Sequence, residues 1–312
     1  MRYSLVTGGA GFIGSHLVRG LLERGTAVRV LDNFSTGHRR NLEELAGRIE
    51  IIDADIRDPA ALARACTDVE VVYHLAAQGS VPRSVDDPVT ANEINVTGTL
   101  RVLVAARDCG ARRVVYSASS AAYGETPTLP KIESMAPQPV SPYGVSKLAG
   151  EYYLQSFSAC YGLSTVSLRY FNVFGPRQDP KSQYAAAIPG FLSRMLRSEP
   201  PIIFGDGEQS RDFCYVENVV LANLLAAEAP RALRGEVLNI ACGERVTLNR
   251  IIAVVNENLG TSLQADYQPP RAGDVRHSLA DLSAARDAIG YAPRVMFAEG
   301  LARSIAWYRA NL

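Results

Sequence analysis

Tyr143 and Lys147 stand four residues apart in SPYGVSKLAGEYYL. On a helix, positions i and i+4 share a face. A phenol with a pKa of about 10 is a poor base at neutral pH, and lowering it to about 7 takes roughly 4 kcal/mol of preferential stabilisation of the phenolate. An ammonium at about 4 Å supplies a similar amount at an effective dielectric of about 20. A second positive charge nearby would complete the set. Ser119 and Ser120, which end VVYSASSAAYG, are hydroxyls able to hold the oxygen that such a tyrosinate deprotonates. Ser119 is the first candidate, and the pattern leaves open which of the two holds the reacting oxygen.

The elements that must position these groups are legible upstream. In TGGAGFIGS, Gly8, Gly11 and Gly14 are spaced three apart between a strand, YSLVTG, and a helix, FIGSHLVRGLLERG. This is the setting of a dinucleotide cradle: a tight turn at Gly8, close approach of a pyrophosphate at Gly11, and close helix–strand packing at Gly14. The helix N-terminus offers free N–H groups to the phosphates. Asp32 ends the second strand, where an acidic side chain meets the ribose hydroxyls and repels a 2′-phosphate, so NAD is expected rather than NADP. The oxidised nicotinamide is then the second positive charge beside Tyr143. Asp55 and Ile56, at the end of the third strand, are placed to flank the adenine.

Apolar strands AVRVLD, IEIIDAD, VEVVYHLAA and ARRVVYSAS alternate with helical stretches, which implies a doubly wound parallel sheet, Rossmann-type α/β, with both faces covered. After about Gly175 the pattern loosens into Pro- and Gly-rich segments, with helices expected near 186–197, 216–229, 248–259 and 282–311. The expected division is a cofactor-binding domain over 1–172 and a smaller mixed α/β substrate domain over 173–312, partly interleaved with the first. Lys and Arg balance Asp and Glu at 32 each, so a general polyanion binder such as a nucleic-acid protein is not expected. The five cysteines are scattered, without metal-ligand spacing, and His74 in HLAA reads as a structural histidine, so no metal is expected. Neither a leader pattern before the first strand nor an apolar run of bilayer length is visible, so a cytoplasmic protein without membrane contact is expected.

The order TGGAGFIG, Asp32, HLAA, SASSAAYG, YGVSK, RYFNVFGP resembles the extended short-chain dehydrogenases/reductases. Within them it is similar to the NAD-dependent nucleotide-sugar 4-epimerases that act on UDP-N-acetylglucosamine or UDP-glucose. The resemblance covers nearly the whole chain. It implies Ser119, Tyr143 and Lys147 as the catalytic trio. For NAD it implies the glycine loop with Phe12 and Ile13, Asp32 with Asn33, the Leu75–Ala77 strand end, Asn95, Ser117 and Tyr170. For the UDP-sugar it implies Asn172, Arg211, Arg271 and Asp274 on the diphosphate and ribose, with Ser80, Arg83, Ser119 and Ser120 at the sugar. Arginine forks in a chain of zero net charge suit a diphosphate independently of the family. A long apolar helix after Tyr143 exceeds one core-facing stripe, and by the resemblance implies a homodimer.

Related sugar-nucleotide enzymes first oxidise C4 to a ketone and then diverge. The 4,6-dehydratases carry an Asp–Glu pair just after the catalytic hydroxyl, and the UDP-glucuronate decarboxylases a Glu one residue after that Asp. Here these positions are Ser120 and Ala121, which cannot serve as a carboxyl acid or base. Return of the hydride to the opposite face, inverting C4, is the expected outcome. Ser278, in GDVRHSLAD, matches the position that borders the C2 substituent, and a small residue there admits an N-acetyl group. The expected reaction is interconversion of UDP-GlcNAc and UDP-GalNAc, with UDP-Glc/UDP-Gal turnover as a slower activity. A strict plain-hexose 4-epimerase and a UDP-glucuronate 4-epimerase are the alternatives. No additional cation in the sequence clearly marks a carboxylate pocket.

Overall fold

The computed structural model describes residues 2–180, 187–270 and 276–311. Six strands, β1 (Tyr3–Thr7), β2 (Ala27–Asp32), β3 (Ile49–Asp53), β4 (Val69–His74), β5 (Arg113–Ser119) and β6 (Ser164–Tyr170), alternate with helices in the first half. The seventh strand of the same sheet, Arg234–Ile240, comes from much later in the chain. The spatial order is 234–240, β6, β5, β4, β1, β2, β3, and every pairing is parallel. The strand order therefore reverses between β1 and β4. At such a point two helices leave on opposite faces and a crevice opens outside the carboxyl ends of the strands.

The helices that fix this crevice are α1 (Phe12–Glu23), α2 (Pro59–Cys66), α3 (Val81–Asp86), α4 (Pro88–Asn92), α5 (Thr99–Asp108) and α6 (Pro142–Tyr161). One face of the sheet is covered by α1 and the helix Val216–Glu228, through Leu17, Val18, Leu21, Val219 and Ala222. The other is covered by α2, α5 and α6, through Leu62, Val102, Leu103, Leu154 and Phe157. The helix 216–228 and strand 234–240 thus complete the sheet of the first half and its cover. Arg113, 2% exposed, donates to the carbonyls of Ala226, Ala227, Ala229 and Arg231 and so clamps the end of that helix to β5. A separate core of Phe174, Phe191, Phe213, Tyr215, Ile251, Phe297 and Leu301 builds the second half. Among the described residues no helix is long and apolar enough to cross a membrane.

α6 has clear start and stop signals. Ser141 caps it by accepting the Gly144 N–H at 3.1 Å, Pro142 fills its first turn, and Gly162 ends it in the left-handed region at φ +70°. Its middle lies tight on β5. A Cβ at Gly150 would sit 2.4 Å from the Tyr116 hydroxyl, so only glycine permits this approach.

His74, fully buried at the end of β4, ties three elements. Its Nδ1 accepts from Thr7 Oγ1 at 2.8 Å on β1, and its Nε2 donates to Thr99 Oγ1 at 2.9 Å on α5. The Thr99 hydroxyl is spent on the Asn95 carbonyl, which sets this tautomer. Burial pulls the ring's pKa from the usual 6.5 down to about 3. Above pH 6.5 the ring is neutral in both folded and unfolded chains and costs nothing. As pH falls from 6.5 toward 3 the unfolded chain gains a proton that the folded one refuses, so stability is lost on acidification. Denaturant melts of the wild type and His74→Gln between pH 7.5 and 5 should show a smaller loss in the variant. An equal loss would place the acid sensitivity elsewhere.

Candidate active site

Three cavities line the crevice in series. The first, about 610 Å³, is bounded by Gly8, Gly11, Asp32, Asn33, Asp55, Ile56, Leu75, Ala76 and Ala77. Its glycine turn is sterically closed behind and open in front. A Cβ at Gly8 (φ +72°) would lie 2.6 Å from the Ala76 nitrogen, and one at Gly14 2.1 Å from the Gly8 carbonyl oxygen. At Gly11 the nearest heavy atom is the Gly8 oxygen at 3.2 Å, so the loop presents bare backbone to the cavity. Asp32 accepts the N–H groups of Ala10 (2.9 Å) and Phe34 (2.8 Å), which orient its carboxylate, while burial raises its pKa above the usual carboxylate range. Asp55 is held by Arg57 and by Asn33 Nδ2 at 2.9 Å; the hydrogen bonds from Arg57 are the main cause of its lowered pKa. Gln78 lines the same cavity, and its Oε1 is buried without a partner among the described residues. A bare-backbone turn, an oriented carboxylate and an orphaned acceptor fit a dinucleotide. Arg83 also lines this first cavity.

The second cavity, about 860 Å³, shares Leu75 and Ala77 with the first. It gathers Phe12, Ile13, Ser117, Ser119, Ser120, Tyr143, Lys147, Tyr170, Asn172, Arg211 and Ser278. The parallel register sets Ser119 level with Tyr170 on β5 and β6. The Ser119 hydroxyl and the Tyr143 phenol face the same cavity, close enough for Ser119 to lower the phenol's pKa. Lys147 is 2% exposed and its Nζ donates to the Ser117 carbonyl at 2.7 Å. Burial pulls its pKa down to about 7, opposed by the charge of Glu151 one turn on. Glu151 is itself held bidentately by Arg169, at 2.9 and 2.7 Å. Burial raises the Tyr143 phenol above its usual 10, opposed only by the Ser119 hydroxyl. Burial therefore favours the protonated phenol, and the Lys147 ammonium is turned onto the Ser117 carbonyl. Positive charge brought into the cavity would lower the phenol's pKa.

The third cavity, about 360 Å³, shares Asn172, Val173 and Arg211 with the second and is walled by Phe174, Phe191, Phe204 and Phe213. Asn172, at φ +32°, donates to the Asp212 carbonyl at 3.1 Å and to Ser278 Oγ at 3.2 Å. Arg211 lies where its strand Ser210–Arg211 pairs antiparallel with Val246–Thr247, and donates to the Ser210 and Arg276 carbonyls. Two expected residues stand apart from this convergence. Ser80 caps α3, accepting the Arg83 N–H at 3.3 Å. Asn95 is 1% exposed and staples the backbone of Gln78 to Ser146 on α6. Arg271 and Asp274 lie outside the described residues. Lining residues that the sequence did not single out include Gln78, Val81, Val85, Lys131 and Gln178, all from loops or short helices without a spacing signature. No cluster of metal-ligating side chains occurs among the described residues.

This arrangement has close counterparts. Residues 4–241 match the NAD dependent epimerase/dehydratase family. The chain belongs to that family. It is 40% identical over 311 residues to the UDP-glucose 4-epimerase of Mycolicibacterium smegmatis, covering 98% of both chains. The structure of UDP-N-acetylglucosamine 4-epimerase from Methanobrevibacter ruminantium M1, in complex with UDP-N-acetylmuramic acid, superposes at a TM-score of 0.95 with 42% identity, covering 100% of this chain and 99% of that one. UDP-glucuronic acid 4-epimerase from Bacillus cereus, in complex with UDP-glucuronic acid and NAD, gives 0.92 at 32% identity, with 99% and 100% covered. The enzyme is an NAD-dependent UDP-sugar 4-epimerase, and NAD is the group that the first cavity fits.

If the cofactor supplies the missing positive charge, Tyr143 should titrate above pH 10 in cofactor-free epimerase and lower when NAD⁺ is bound. Ultraviolet difference titration of the wild type against Tyr143→Phe, with and without NAD⁺, measures this. An unshifted phenol would return the burden to Lys147.

Proposed function

We propose that this enzyme interconverts UDP-GlcNAc and UDP-GalNAc by inversion at C4, with slower turnover of UDP-Glc and UDP-Gal. Tyr143 takes the proton of the C4 hydroxyl and later returns it. Ser119 orients that oxygen, and Lys147 holds positive charge on the cofactor side of the phenol. When bound, NAD accepts the C4 hydride and gives it back, so no net redox change occurs. Asn172 and Arg211 stand between the sugar cavity and the phenylalanine-walled cavity, where a diphosphate would bridge sugar and uridine; Arg forks suit its oxygens.

The observation that carries the choice of sugar is Ser278. It lines the cavity that contains Tyr143 and Ser119, and its hydroxyl accepts from Asn172 and from the Asp212 N–H at 3.3 Å. A small side chain tied back in this way leaves room for a C2 acyl group. Ser120 and Ala121 place no carboxyl group beside Ser119, and Glu125 on the same wall is exposed, which favours epimerisation over dehydration.

Purified enzyme incubated with UDP-GlcNAc, and separately with UDP-Glc, should give the C4 epimers at unchanged mass by proton NMR, the acetylated pair faster. Ser278→Tyr should lower UDP-GlcNAc turnover by at least about tenfold, roughly 1.4 kcal/mol, and spare UDP-Glc. Equal effects on both sugars would remove Ser278 as the selecting residue.

The same reading includes a homodimer. Along α6, Val145 and Tyr152 are each 54% exposed, and Leu148 and Ala149 between them are partly exposed, forming an apolar stripe at helical spacing. A second copy of the chain is proposed to cover it. Light scattering at micromolar concentration should give twice the chain mass, and a monomer would contradict this assignment.

A further inference from the structure

Lys131, in LPKIES, lines the sugar cavity together with Ser119, Tyr143 and Ser278, yet is only 2% exposed. Its backbone is fixed on both sides. The N–H donates to the Leu279 carbonyl at 2.7 Å, and the carbonyl accepts from the Asp281 N–H and from Asn239 Nδ2, both at 2.9 Å. The residue therefore forms a bridge with Ala280, two positions from Ser278. Its ammonium donates to the carbonyl and hydroxyl oxygens of Thr126. An ammonium carries three N–H donors, and the third has no acceptor among the described residues. Nor does any described carboxylate bond it: Glu125, on the same cavity wall, is exposed, and Glu133 is spent on the Asn239 N–H at 2.7 Å.

A buried cation without a counter-charge is costly, and such groups are ordinarily paired. Desolvation alone shifts this one, downward from the usual lysine pKa of 10.5. A neutral hexose or an N-acetyl group would leave it uncompensated. A carboxylate carried on the sugar would supply both the missing acceptor and the missing charge.

We propose that Lys131 is a specificity-determining residue that gives the sugar cavity a binding site for a carboxylate on the UDP-sugar, so that the enzyme also accepts acidic sugars. The proposal rests on the UDP-sugar reading of the cavity and extends its substrate class beyond neutral sugars. A carboxylate can come from C6 of a uronic acid or from a lactyl ether at C3. The two place the charge at different points of the ring.

The test compares wild type with Lys131→Met, which keeps most of the side chain's length and removes the charge. Substrates are UDP-GlcNAc, UDP-glucuronate and a UDP-N-acetylhexosamine bearing a C3 lactyl ether, assayed for C4 inversion by NMR. The wild type should turn over at least one acidic sugar. In the variant its KM should rise by about tenfold or more, the loss expected of one hydrogen bond to a charged group, while UDP-GlcNAc kinetics stay within about twofold. Which acidic sugar responds identifies the source of the carboxylate. Lys131→Arg, which retains the charge, should restore part of the acidic-sugar affinity. Equal losses on neutral and acidic sugars, with a lower melting temperature, would make Lys131 a loop strut and overturn the proposal. So would wild-type turnover of UDP-GlcNAc without binding or turnover of either acidic sugar. Failure of the wild type on UDP-GlcNAc alone would count against the substrate reading of Ser278 and leave the Lys131 comparison intact.

Discussion

The site depends on how closely α6 can lie on β5. Gly150 rests on the Tyr116 hydroxyl with no room for a methyl group, and one turn earlier Lys147 reaches the Ser117 carbonyl. These contacts fix the rise and rotation of α6 relative to the strand. Tyr143, one further turn toward the N-terminus, is then delivered to Ser119 at the strand's end. The bidentate Glu151–Arg169 pair continues the attachment to β6. The placement of Ser119, Tyr143 and Lys147 is thus a by-product of helix–sheet packing. A rigid element of 20 residues holds it more firmly than a loop would.

The electrostatics follow from the same packing. Burial discourages both the charged lysine and the charged tyrosine. Under the proposed mechanism, a cationic group entering the first cavity would favour the tyrosinate that burial disfavours. The second half is organised around another buried acid. Asp212 accepts the N–H groups of Cys242, Gly243 and Ala280, joining the end of strand 234–240 to the segment that carries Ser278. Asn172 bonds both the Asp212 carbonyl and Ser278, so the sugar cavity's wall is hung from the sheet's carboxyl edge.

What was legible in the sequence was chemistry tied to local pattern. The glycine turn, Asp32, the serines at the end of β5 and the Tyr–Lys pair all belong to one strand–turn–helix unit or one helix face. Their spacing follows from the 3.6-residue turn and from strand length. The helices over 216–229 and 248–259 showed by apolar periodicity, but nothing local indicates that strand 234–240 joins the first half's sheet. That pairing is a long-range fact, as is the Arg113 clamp on the carbonyls of residues 226–231. The role of Asn95 was equally hidden: its residue type suits a ligand contact, whereas its neighbours occupy every polar atom it has. Lys131 sits in a loop without periodicity, and only the bridge to Ala280 brings it to the cavity.

The late arrival of the seventh strand bears on how the molecule comes into being. A nascent chain that has emerged only through β6 presents a bare hydrogen-bonding edge along Ser164–Tyr170, of the kind that pairs with other chains. Its α1 also lacks the helix whose Val220 packs against Gly20. Both needs are met only after about 70 further residues, when strand 234–240 docks on β6. The first half's sheet is therefore not complete within the first 172 residues: its last strand comes from the second half of the chain, and until that strand docks the β6 edge has no partner.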